Sequence, residues 1–73
     1  MRYSEQEREQ IAAEYDEYAA GCARTADDLA SRGYDIAAEV HRDQATQCRQ
    51  IAEAARTSSD ELNHQFTDEH NTI

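Results

Sequence analysis

IAAEYDEYAAGCARTADDLASRGYDIAAEV, residues 11–40, decides the fold of this chain. Within it Ile11, Tyr15, Tyr18, Cys22 and Leu29 recur at steps of four, three, four and seven. Those steps place them along one narrow stripe of one long helix. Gly33 follows where a helix C-terminus favours glycine, because C′ adopts a left-handed backbone. A second stripe then starts at Ile36 and runs through Val40, Gln44, Cys48 and Ile51. Two periodic segments separated by so short a break predict an antiparallel helical hairpin.

Working outward, Ser4 and Glu7 have the spacing of a capping box, with Glu5 and Glu7 at the positive end of the helix dipole. The first helix is expected over about residues 4–32 and the second over about 35–57, with Asp35 as its N-cap. Thr57, Ser58, Ser59 and Asp60 form the one polar cluster, and Ser58 with Glu61 could make a second capping box. Either the second helix continues through this cluster or a short third helix begins, over about 59–67. Leu62 and Phe66, four apart, would anchor it against the open face of the hairpin. Residues 68–73 read as a frayed tail. The fold class is therefore all-α, a single small helical domain over residues 1–73, assembling into a helical bundle.

The composition agrees. There are 13 alanines, two glycines and no proline, so helix propensity is high and chain breaks are few. The stripes are thin, with tyrosine and glutamine where a self-sufficient bundle carries leucine. Small chains bury a small share of their surface and commonly complete their cores by association. Ile11, Tyr15, Tyr18, Cys22, Leu29, Ile36, Val40, Gln44, Cys48 and Ile51 are thus the expected seam of a homodimer or higher oligomer.

Charge narrows the partners. The net charge is −9, and all seven basic residues are arginine. Direct binding to DNA or RNA phosphates and to anionic membranes is excluded as an expectation, and a protein with a basic surface is favoured. Asp35, Glu39 and Asp43 step by four along the second helix. Glu14, Asp16, Glu17, Asp27 and Asp28 lie on the first. Carboxylates one helical turn apart stand at about 6 Å, close to phosphate spacing, so such a row can imitate a nucleic-acid backbone. The alternative is an ordinary solvated face, with Arg42 paired to Glu39, Arg32 to Asp28 and Arg56 to Glu53. Tyr3 and Tyr34, at opposite helix ends, are candidate aromatic anchors.

Chemistry-bearing patterns are sparse. Glu61 and His64 have the spacing of a di-iron bundle motif, but a second such pair is absent from the sequence. No metal or other cofactor is expected. Cys22 and Cys48 fall on the expected seam, where thiols are usually inert, and a disulfide between them is the lesser alternative to reduced, half-hydrophobic side chains. No nucleophile has a base arranged beside it, so no enzymatic activity is expected. Without an apolar run of spanning length, the expected location is the cytoplasm. The expected function is a non-enzymatic inhibitor or regulator of a nucleic-acid-handling protein complex. Phages and mobile elements carry small acidic accessory proteins of this kind, anti-CRISPR inhibitors of host defence among them. The alternatives are a homo-oligomeric structural or adaptor subunit and a metal-binding helical bundle.

Overall fold

A computed structural model describes residues 2–70, with side chains described over residues 2–66. Three helices follow one another: α1 (Glu5–Ser31), α2 (Asp35–Thr57) and α3 (Ser59–His70). The first two pack antiparallel, and the third folds back onto the end of α2.

Each boundary has a local cause. Before α1, the Ser4 hydroxyl accepts from the Glu7 N–H at 3.1 Å, and the Ser4 N–H donates to Glu7 Oε1 at 3.0 Å. Both halves of the capping box are present. At the other end, the Tyr34 N–H donates to the Leu29 carbonyl at 2.9 Å and the Gly33 N–H to the Ala30 carbonyl at 3.1 Å. That pair of bonds is a Schellman motif, and it requires the positive φ of 85° found at Gly33. The N-cap position of α2 is Tyr34, with no side-chain cap, so Asp35 is the first helical residue rather than the cap. Its carboxylate still sits in the first turn, where the helix dipole favours it.

α2 stops at a single extended residue. Ser58 has φ −171° and ψ 164°, and its hydroxyl accepts from the Glu61 N–H at 3.1 Å. The polar cluster is therefore a break, and Ser58 caps the new helix. α3 also runs on through residues 68–70, which the sequence assigns to a frayed tail; residues 71–73 lie outside the described residues.

The buried seam differs from the expected one. On α1 the buried residues are Ala12, Ala19 and Ala26, and on α2 they include Ala38, Ala45 and Ala52. Each set repeats every seven residues, the spacing of a coiled-coil seam. In an antiparallel hairpin the two sets run in opposite order, setting Ala26 toward Ala38, Ala19 toward Ala45 and Ala12 toward Ala52. A seam of methyl groups lets the two helix axes approach closely, leaving no room between them for larger side chains. The stripe of Ile11, Tyr15, Cys22 and Leu29 therefore stands beside the contact, half-buried, and Tyr18 is exposed. On α2, Ile51 is buried and Cys48 half-buried, but Ile36, Val40 and Gln44 are exposed. Four residues of the expected seam thus lie on the surface of the monomer.

One end of the hairpin has a thicker core. Ala12, Ile51, Ala52, Ala55 and Leu62 form one buried cluster, with Tyr3, Ile11, Tyr15 and Phe66 packed against it. Among the described residues Leu62 is the largest side chain that is fully buried. α3 thus supplies apolar bulk to the hairpin, as the Leu62 and Phe66 spacing predicts, and does so only at the end remote from the turn.

Candidate interaction surfaces

Three surfaces flank the alanine seam, and helical phase decides which residues each receives. The first is ionic. Arg42, Arg49 and Arg56 are seven apart on α2, so they share a stripe immediately beside the buried alanines. From there two of them reach across to α1. Arg42 meets Asp27 at 3.8 Å, and Arg56 donates to Asp16. The pairings expected along α2, Arg42 with Glu39 and Arg56 with Glu53, are replaced by these crossing pairs, because the arginines border the other helix. Arg32 pairs with Asp28 at 3.3 Å as its spacing predicts. Arg49 lines a shallow depression with Ala23, Asp27 and Thr46.

The hydrogen bond from Arg56 holds the Asp16 carboxyl below its ordinary pKa, and Asp16 raises the Arg56 guanidinium in turn. Both side chains are about half exposed, so solvent screens the pair and its contribution to stability is small.

The second surface carries the remaining carboxylates. Glu14, Glu17, Asp35, Glu39 and Asp43 are exposed, and among the described residues none forms an ion pair. The eight acidic candidates thus divide. Asp16, Asp27 and Asp28 engage arginines of the same chain, and the other five point their charge to solvent. Asp35, Glu39 and Asp43 form a continuous row at steps of four along α2.

The third surface is apolar. The Cys22 thiol donates to Gln44 Oε1 at 4.0 Å, which sets the α1 stripe of Tyr18, Cys22 and Leu29 on the same side of the hairpin as Gln44. Toward the chain ends α3 covers this side, over Ile11, Tyr15 and Ile51. Toward the turn no described residue covers Tyr18, which is 56% exposed. Tyr34 is 61%, Ile36 84% and Val40 51% exposed; Ile36 and Val40 lie two residues to either side of the buried Ala38, on the outer face of α2 beside the acidic row. Gly21 lies nearby, but a Cβ there would meet only Arg24 Nη2, at 3.9 Å, so it serves no close helix approach.

The two aromatic anchor candidates part company. Tyr34 stands exposed at the turn. Tyr3 is half-buried, its ring 6.5 Å from that of Phe66, which in turn lies 6.3 Å from Tyr15. Tyr15 meets Tyr18 edge to face at 5.5 Å. Tyr3 therefore packs against the internal cluster.

Glu61 and His64 lie one turn apart on α3, both exposed. Among the described residues no group of three or more His, Cys, Asp or Glu side chains is placed to hold a metal ion. Cys22 and Cys48 are reduced and half-buried. No described helix is long and apolar enough to cross a membrane.

The sequence reading lacks the arginine row 42/49/56 and the α1 half of the alanine seam, 12/19/26, although both are visible as heptad spacings; bulkier apolar side chains occupy the stripe beside them. Comparison with family models, curated proteins and solved structures yields no match, so no family is assigned.

Proposed function

We propose that this chain is a non-enzymatic protein-binding module that regulates a nucleic-acid-handling protein complex by occupying a basic groove on it. The observation that carries this reading is the row Asp35, Glu39 and Asp43, exposed and without an internal cation among the described residues. Carboxylates one turn apart repel along a helix by a few tenths of a kcal/mol each. A basic partner would relieve that repulsion on binding. Glu14 and Glu17 extend the same unneutralised charge onto α1, and the net charge of −9 steers a basic partner from a distance. Steric occlusion of the groove, aided by the exposed Tyr34, then competes with nucleic acid. Small acidic inhibitors of phages and mobile elements, anti-CRISPR proteins included, are the functional class this mechanism fits, and the cytoplasm is where such a partner would be met.

The test is displacement of labelled duplex DNA or guide RNA from a panel of purified nucleic-acid-guided nucleases and repressors. Displacement by the wild-type chain should weaken steeply as salt rises. It should be lost in the triple variant Asp35→Arg, Glu39→Arg, Asp43→Arg. Reversal at Glu5 and Glu9, on the opposite end of the chain, should change it far less. Equal loss from both sets of reversals, or none from the triple variant, would refute a specific acidic row.

A further inference from the structure

We infer that the outer side of α2 between Asp35 and Gln44 docks a basic amphipathic helix of a partner protein. Helical phase sets its apolar line. Ile36 and Ala54 are 18 residues apart, five turns of an α-helix, and Val40 and Ile51 are 11 apart, about three turns. The four therefore lie along one side of α2. At the end of α2 a helix covers that side: Leu62 of α3 packs with Ile51, and Glu61 and Gln65 of α3 border Ala54 across a shallow groove. Ile51 and Ala54 are accordingly buried. Three to five turns earlier the same line carries Ile36 and Val40, which are 84% and 51% exposed. The uncovered stretch thus continues an interface that already receives a helix.

The charges beside the line select the occupant. Asp35 and Glu39 immediately precede Ile36 and Val40, and Asp43 continues their row one turn on, so carboxylates flank the apolar line along its length. Among the described residues none of the three forms an ion pair. Gln44, on the other flank, is exposed and uncharged. A helix laid here needs an apolar stripe for Ile36 and Val40 and Arg or Lys beside it for the carboxylates. Such side chains lay their aliphatic stems along apolar surface while the charged head reaches outward, so one residue serves both needs. A second copy of this chain fits poorly, because each copy carries −9 and would bring its own acidic row to the contact.

This inference rests on the acidic-row reading for its charge and adds what the row alone does not give, a helical and half-apolar partner element. Two labelled synthetic peptides, each about 18 residues long, test it. One carries Leu at i, i+3, i+4 and i+7 spacing with Arg on the flanks; the other keeps every Arg and has Gln for each Leu. Fluorescence anisotropy should show the Leu/Arg peptide binding the wild-type chain at least about tenfold more tightly than the Gln/Arg peptide. The double variant Ile36→Gln, Val40→Gln should lose that preference and keep the salt-sensitive binding of the Gln/Arg peptide. Both positions are exposed, so its circular dichroism should match the wild type. The triple variant Asp35→Arg, Glu39→Arg, Asp43→Arg should bind both peptides more weakly.

Equal affinity for the two peptides overturns the inference, as does a double variant that keeps the preference, or no binding of the Leu/Arg peptide up to about 200 μM. In the first two cases the acidic-row reading survives if the triple variant still binds more weakly. A triple variant that binds both peptides as the wild type does removes the acidic row and this inference together. Light scattering that shows a wild-type dimer, lost in the double variant, would give the line to a second copy and also overturn the inference.

Discussion

Tyr3 and Ser59 hold each other across 56 residues of sequence: the Tyr3 N–H donates to Ser59 Oγ at 3.0 Å, and the Ser59 hydroxyl donates to the Tyr3 carbonyl at 2.8 Å. This reciprocal pair fastens the segment before α1 to the first residue of α3. It also holds the Tyr3 ring against Phe66.

Ser59→Ala removes both bonds and leaves a partly buried N–H and carbonyl without their partner. Each such bond contributes about 1 kcal/mol, so a loss of about 1–2 kcal/mol is expected. For a domain of this size that lowers Tm by roughly 4–15 °C. Thermal unfolding followed by circular dichroism measures it; an unchanged Tm would mean the pair is incidental to stability.

Leu62→Ala truncates the largest fully enclosed side chain among the described residues, at a cost of about 2–5 kcal/mol. Because Leu62 is the contact of α3 with Ala12, Ile51 and Ala55, the loss should appear first as release of α3. Amide exchange should lose protection over 59–66 before the middle of α1 and α2 does. Simultaneous loss in all three helices would show instead that the hairpin cannot stand without α3.

Ala19→Leu and Ala45→Leu should each destabilise by about 1–3 kcal/mol, because extra methylenes in a close-packed seam force the helices apart. Ala20→Leu, at an exposed neighbour, should change stability by no more than about 0.5 kcal/mol. Denaturant titration distinguishes them. Equal tolerance at positions 19 and 20 would contradict the alanine seam.

The glycines should respond with opposite signs. Gly33→Ala places a side chain at φ 85° and should cost about 1–2 kcal/mol. Gly21→Ala adds a methyl that meets only a flexible Arg24 tip, so the gain in helix propensity, about 0.5–1 kcal/mol, should be realised.

Acid should loosen the start of α1. The Ser4 backbone N–H, and then its hydroxyl, hold the Glu7 carboxyl below its ordinary value of 4.5. A folded pKa lower than the unfolded one means that the folded state binds fewer protons there. The contribution is complete above the unfolded pKa and fades as pH falls through the lowered folded value. Glu7→Gln should therefore reduce stability at neutral pH and flatten the acid limb of the stability curve below about pH 4.5. A parallel acid limb in both proteins would place its origin elsewhere.

Local signals carried most of the fold. The Ser4/Glu7 box, the Gly33 terminus and the Ser58/Glu61 box each depend on neighbours within a few residues, and each is where its chemistry puts it. The seam was harder to read because two stripes about one residue apart around the helix both recur every seven positions. Apolar bulk favours Tyr15, Cys22 and Leu29, whereas close approach of the axes favours Ala12, Ala19 and Ala26. Only packing decides between them. The ion pairs were misread for the same reason: Arg42 and Arg56 have acceptable partners on their own helix, and the close second helix offers others. Tyr3 shows a third limit, since its partner Ser59 is remote in sequence and nothing local announces it.

The alanine seam has a consequence for when the chain loses its freedom. Alanine has no rotamers to restrict, so closing the hairpin along Ala12, Ala19, Ala26, Ala38, Ala45 and Ala52 carries no side-chain entropy penalty. The rotamer-rich residues Arg49, Glu39 and Ile36 stay exposed and give up little side-chain freedom on folding. Any association that immobilised them would carry about 0.5–1.5 kcal/mol for each side chain. A chain folded in this way separates the thermodynamics of folding from those of binding. Binding through these side chains should therefore carry an unfavourable entropy that folding does not.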